Sequence, residues 1–204
     1  RIDTNIIKVL PMDPMRTKVK NTVSLFREEL EKLKKKNNEK PRIEKEYAIH
    51  KRAVGRLKIQ GKLINTCKRV GEVPGVYVGD VFQSRAEMCV VGLHAIFEGG
   101  VDFIREDGYL ATSVVDSGRY CNVSSDDWFV YMGCGGANGA DQKLKRGNLA
   151  LKNCIIRKSP MRVIRKDQFS SLFRYCGLFL VCDFKQSIAE DGKIVYKFVF
   201  TKAA

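Results

Sequence analysis

Histidine and tryptophan are scarce in this chain. Its 204 residues hold two histidines, His50 and His94, one tryptophan, Trp128, and no Cys-x-x-Cys pair among seven cysteines. A zinc site of the usual ligand spacing therefore has no support, and no metal is expected. The cysteines are odd in number, irregularly spaced and set among apolar neighbours, so they read as small hydrophobes and not as a disulfide framework. Asp126-Asp127 and the other carboxylates show no metal-site pattern, and neither histidine has an evident partner in the sequence. No catalytic constellation, cofactor or small-molecule substrate is expected. No apolar run approaches the roughly 18 residues a bilayer span requires. The opening Arg1-Ile2-Asp3-Thr4-Asn5 does not build a signal peptide. The expectation is an intracellular chain with no membrane partner.

Acidic residues are also in short supply, 23 against 37 lysines and arginines, for a formal net charge of +14. An excess of this size favours an anionic partner, of which nucleic acid is the commonest inside cells. Residues 1–70 carry 20 basic against 8 acidic groups. Residues 71–136 carry 3 against 10, and residues 141–204 carry 14 against 5. The later part is thus polarised, and one face is suited to a phosphate backbone. The amino-terminal lysines have a plainer reading as the solvated surface of a helix.

Hydrophobic residues at 44% and charged residues at 29% suit a globular protein, and the length suits one domain with an appendage. Asp13-Pro14 reads as a cap followed by proline at the first helical position, ahead of Met15, Val19, Val23, Phe26, Leu30 and Leu33 at helical spacing. This helix should fray in Lys34-Lys35-Lys36-Asn37-Asn38. A second should run from Ile43 to Leu57 and close near Gly61. Residues 1–65 are read as a basic helical extension and 66–204 as the main domain.

From Val70 the texture changes to short β-branched and aromatic runs cut by glycine. Strands are expected at Val73–Val76, Val81-Phe82, Met88–Leu93, Ala111–Val115, Trp128–Tyr131, Met161–Arg165, Leu178–Val181 and Lys193–Phe200. Asn148–Ile156 is either a short helix or a strand end. The class is α+β, with a curled, barrel-like sheet that hides its edges between flanking helices.

Five ordered segments carry a resemblance: Val70–Asp80; Ala111–Val115 running into Ser117-Gly118-Arg119-Tyr120; Asp141–Leu144 with Gly147–Leu151; Pro160–Arg165; and Tyr175–Leu178. Together they resemble the SRA (YDG) domain, most closely that of plant SUVH-type histone methyltransferases. The resemblance implies a saddle-shaped, twisted, PUA-like β-barrel flanked by helices. It implies a nuclear, chromatin-associated reader that binds duplex DNA containing 5-methylcytosine, holds one cytosine flipped out of the helix and has chromatin proteins as further partners. Flipping costs a few kcal/mol but exposes the methyl group and the pairing edge on all sides, and stacking on aromatic rings offsets that cost.

By motif position, Tyr120 and Tyr131 match the two rings that sandwich the base, with Gly118, Cys121, Asn122, Met132 and Gly133 around them. A tyrosine at a strand end is otherwise an ordinary half-buried aromatic. Where the family has an aspartate that accepts from the cytosine amino group, this chain has Asn122, whose amide can accept from that group and donate to ring N3. The thumb-like loop is Phe97-Glu98-Gly99-Gly100-Val101-Asp102, with Phe97 as a wedge and Glu98 repelled by phosphate. The loop that reaches the opposite strand in vertebrate members is here only Ala137-Asn138-Gly139-Ala140, too short for that readout. Phosphate contacts are assigned to Lys143, Lys145 and Arg146, then Arg162 and Arg165, with Arg119 able to reach either phosphate or pocket. The alternative is a degenerate member that keeps the fold as a nonspecific DNA-binding or protein-interaction module, as Asn122, Glu98 and the short loop would suit.

Overall fold

The computed structural model describes residues 13–39, 44–105, 108–118, 125, 127–136 and 140–203. Helix α1 spans Pro14–Asn38. It starts where the Asp13 carboxylate accepts from the Met15 N–H at 2.9 Å, a side chain satisfying one of the helix's unpaired donors. It does not fray in its lysine run. Asn37 is buried and tied to the backbone of Glu44, accepting from its N–H at 2.9 Å and donating to its carbonyl at 3.3 Å. That anchorage holds the last turn. Helix α2 spans Glu46–Ile59 and buries Ile49, Ala53, Val54 and Leu57 along one face.

The two helices share a core with the main domain. Phe26, Leu33, Ala53 and Leu57 cluster with Val76, Phe82, Met88, Leu93, Ile164 and Tyr175. Arg27 donates to the buried Glu87 carboxylate at 2.6 Å and 3.2 Å, and Arg16 grips Asp80 through both terminal nitrogens. The amino-terminal cations are therefore only partly a solvated surface, since two of them clamp α1 to the body.

Strand β1 is Val81–Phe82, and α3 is Arg85–Val90. The expected strand at Met88–Leu93 is thus no strand: its first half ends helix α3 and its second half is a turn. Ser84 caps α3 by accepting from the Glu87 N–H at 3.3 Å, and the Glu87 carboxylate reaches back to the Gln83 N–H at 2.7 Å, a reciprocal arrangement that starts helices. The remaining strands are β2 Val101–Ile104, β3 Leu110–Asp116, β4 Trp128–Met132, β5 Met161–Lys166, β6 Phe173–Ile188 and β7 Ile194–Lys202. Val73–Val76 forms no strand. Residues 148–156 fall in helix α4, Gly147–Arg157.

The strands make one mixed sheet in the order β2-β3-β5-β6-β7-β4, with β1 also pairing with β6. Among the described residues, only β3 and β5 pair in parallel. Register shifts between Val163 and Ile164 and between Val181 and Asp183 bend the long strands as bulges do. The sheet curls around a second core in which Phe129 stacks on Phe200 at 4.6 Å, closed off by Leu151 and Cys154 of α4. This is the expected α+β class, a curled sheet flanked by helices.

Candidate nucleic-acid interface

The thumb-like loop is held from beneath. His94 is fully buried, with Nδ1 2.8 Å from the Ser113 hydroxyl and Nε2 3.1 Å from the Gly99 carbonyl. These partners fit a neutral imidazole that donates through Nε2 and accepts at Nδ1. Burial pushes its pKa down to about 4, Arg85 and Arg162 adding to the effect and Asp102 opposing it. Arg85 donates to the same Gly99 carbonyl at 2.7 Å. Asp102 closes the loop base, accepting from the N–H groups of Ala95 and Phe103, each at 2.9 Å, and pairing with Lys68. His94 thus has partners that the sequence pattern does not reveal.

Phe97 does not stand free as a wedge. It packs against the helical core with its ring edge-on to Tyr47 of α2, centroids 5.9 Å apart. The neighbouring Glu98 carboxylate raises the Tyr47 pKa.

Facing this loop is Tyr131 on β4, paired with Phe198 of β7 and packed edge-on to Phe200 at 6.0 Å. Its hydroxyl meets Gly100 so closely that a Cβ there would lie 2.3 Å from it, and the Cys134 thiol lies 3.7 Å away. The chain then turns through Gly133–Gly136. Gln142 donates to the Gly133 carbonyl at 2.8 Å and accepts from the Tyr196 N–H at 2.9 Å. Asn148 accepts from the Cys134 N–H at 2.8 Å and donates to the carbonyls of Cys134 and Lys143, both at 2.9 Å. A Cβ on Gly133 would lie 2.8 Å from both of these amide side chains. Glycine is therefore what lets the two amides clamp the turn. Asp141 ties down the same loop, accepting from the Ile194 N–H at 2.8 Å.

Between loop and turn lies an open cavity of about 440 Å³. Tyr131, Met132 and Gly133 line it together with Glu98, Gly99 and Gly100 from the thumb-like loop. Arg85, Asp116, Lys166 and Phe173 also stand in the wall. Gly118, at φ +65°, sits past the end of β3, its N–H on Asp116 at 3.0 Å and its carbonyl on Gln168 at 3.3 Å. Arg119, Tyr120, Cys121 and Asn122 lie outside the described residues.

A family model described as the SAD/SRA domain matches residues 69–204. The chain belongs to the SAD/SRA family. It is similar to the Arabidopsis thaliana histone-lysine N-methyltransferase SUVH5, H3 lysine-9 specific, at 38% identity over 91% of this chain and 26% of that protein. The chain thus spans about a quarter of that relative's length. Among solved structures, KRYPTONITE in complex with mCHG DNA matches with a TM-score of 0.81 at 30% identity, over 93% of this chain and 44% of that one. The SUVH5 SRA domain in complex with fully methylated CG DNA matches with a TM-score of 0.62 at 42% identity, over 66% of this chain and 94% of that one.

On this SRA domain the cations expected to meet phosphate separate into three kinds. Lys143, Lys145 and Arg146 are exposed on the approach to α4. Arg165 is half-buried over the Phe129 ring, 4.8 Å from its centroid, and donates to the Ser125 carbonyl at 3.0 Å. Arg162 is 2% exposed. It donates to the carbonyls of Leu93 at 3.1 Å, Arg69 at 2.9 Å and Gly71 at 2.6 Å, so its assignment to phosphate is corrected. On β5 it faces inward, where it satisfies these three carbonyls. Burial lowers its pKa to about 10, still charged at neutral pH. Sequence reasoning does not find Arg85, Asp116 and Lys166 in the cavity wall or Asn148 behind it. Of these, Asp116 and Asn148 stand in segments that carry the family resemblance.

Proposed function

We propose that this SRA domain reads 5-methylcytosine in duplex DNA by taking the flipped base into the cavity beside Tyr131. The observation that carries the proposal is the cavity itself, a buried aromatic ring facing backbone at Gly99, Gly100 and Gly133. Its volume falls in the range of small-ligand sites, and glycines let backbone donors and acceptors approach a base edge. SRA relatives of known structure are bound to methylated CG, methylated CHH and hydroxymethylated CG DNA. In this reading Tyr131 forms one wall and Tyr120 the other, while Asn122 meets the pairing edge. Lys143, Lys145 and Arg146 follow the phosphates, and residues 1–65 support the reading module at 66–204. The chain binds and does not catalyse, and its place is in nuclear chromatin.

The test compares this chain's affinity for methylated and unmethylated duplexes, with a 2-aminopurine beside the target cytosine. Tighter binding of the methylated duplex with a rise in emission is expected. Equal binding with no rise would refute the reading. Glu98 favours a second one, because a carboxylate in the cavity wall opposes DNA. A degenerate module would bind both duplexes alike.

A further inference from the structure

The β5–β6 turn carries the most exposed large apolar side chain of the described residues. Phe169 is 99% exposed, yet the turn that presents it is tightly made. The Asp167 carboxylate accepts from the Phe169 N–H at 2.9 Å, the Ser170 N–H at 2.6 Å and the Ser170 hydroxyl at 2.8 Å. The Asp167 N–H donates to Leu172 at 2.7 Å and its carbonyl accepts from Ser171 at 3.0 Å. Its location is equally specific. The last pair of the hairpin is Lys166 with Phe173, and both residues line the cavity. Gln168, next to Phe169, touches the Gly118 carbonyl at the entry to the segment that holds Tyr120. An aromatic ring is therefore held in water at the rim of the cavity, while the thumb-loop aromatic, Phe97, is packed away against Tyr47.

A flipped base leaves its neighbours unstacked, and apolar side chains fill such gaps in DNA. We propose that Phe169 is the wedge of this protein, entering the stack beside the cytosine that the cavity takes up. The inference rests on the base-flipping reading above. Lys166 and Arg174, flanking the turn, bring cations to the adjacent phosphates, and the Asp167 charge that would oppose them is engaged by three donors within the turn. The wedge works by burying a ring that no part of the protein covers and by restoring the stacking that the departing base gave up.

The experiment uses the whole chain with Phe169→Ala and Phe169→Trp, a methylated duplex carrying 2-aminopurine next to the methylcytosine, and thermal melting. Expected for Phe169→Ala are an unchanged melting temperature, roughly tenfold weaker binding and reduced emission at saturating protein, with Phe169→Trp restoring both. If Phe169→Ala binds and flips like the parent chain, the wedge assignment fails while the reader stands. Weaker binding with unchanged emission at saturation would make Phe169 a mere contact and also overturn it. A parent chain that gives no emission rise at all would overturn both readings together.

Discussion

The Phe97 ring packs edge-on to the Tyr47 ring, centroids 5.9 Å apart, so the loop that puts Glu98 in the cavity wall is fastened to helix α2. That fastening leaves the Glu98 charge at the surface proposed to meet phosphate. Glu98→Gln keeps the size of the side chain and removes the charge. Its affinity for duplex DNA should rise a few-fold, and the rise should shrink as salt screens the repulsion. A salt titration of binding for both forms checks this.

Arg162 and the exposed tract should behave oppositely. Arg162→Ala leaves three inward carbonyls without their donor and should cost about 3–5 kcal/mol of stability, as loss of one member of a buried polar network does. Thermal or denaturant unfolding measures it, and no DNA is needed to see the effect.

Charge reversal at Lys145 and Arg146 should leave melting unchanged, since both side chains are exposed. Binding should weaken on methylated and unmethylated duplexes alike, and the slope of log affinity against log salt should fall by roughly 1 for each phosphate no longer neutralised. A loss confined to the methylated duplex would place these residues at the base and not at the backbone.

This contrast shows how much is legible along the chain. Ordered motifs place the family, the sheet and Tyr131, because spacing carries that information. The choice between Arg162 and Arg165 turns on which face of β5 points inward, and on a curled sheet of bulged strands alternation alone does not say. The strand expected at Met88–Leu93 misleads for a different reason. A short apolar run has no readable period, and the decisive signal is the pair Ser84 and Glu87 at its head. His94 has no visible partner in the sequence because Ser113 and Gly99 meet it only after the sheet curls.

His94 should also give the fold a pH dependence. Its pKa is about 4 when folded and near 6.5 when unfolded, so below pH 6.5 the unfolded chain binds a proton that the folded chain refuses. Stability is whole above pH 6.5 and falls as pH drops toward 4, by an amount on the order of 3 kcal/mol. His50, whose pKa burial also lowers, adds to the same trend. His94→Gln should flatten the profile between pH 6.5 and 4.5 while lowering stability at pH 7. A mutant profile parallel to that of the parent would remove His94 from the account.

Tyr131 serves both the core and the cavity, so its substitutions must be read on two scales. The ring is buried against Phe200, and its loss in Tyr131→Ala should cost about 3–5 kcal/mol of stability, as for other large aromatics cut to alanine. That variant alone cannot separate stacking on a base from packing in the core. Tyr131→Leu keeps apolar volume but loses the flat face, and Tyr131→Phe keeps the face but loses the hydroxyl beside Gly100 and Cys134. If a base stacks there, Tyr131→Phe should bind and flip nearly as the parent does. Tyr131→Leu, at a temperature where it is fully folded, should lose roughly 1–3 kcal/mol of affinity together with the 2-aminopurine signal. Folding is checked by melting each protein in the binding buffer. A folded Tyr131→Leu with full affinity and full emission would return Tyr131 to the core alone and leave the cavity without its stacking wall.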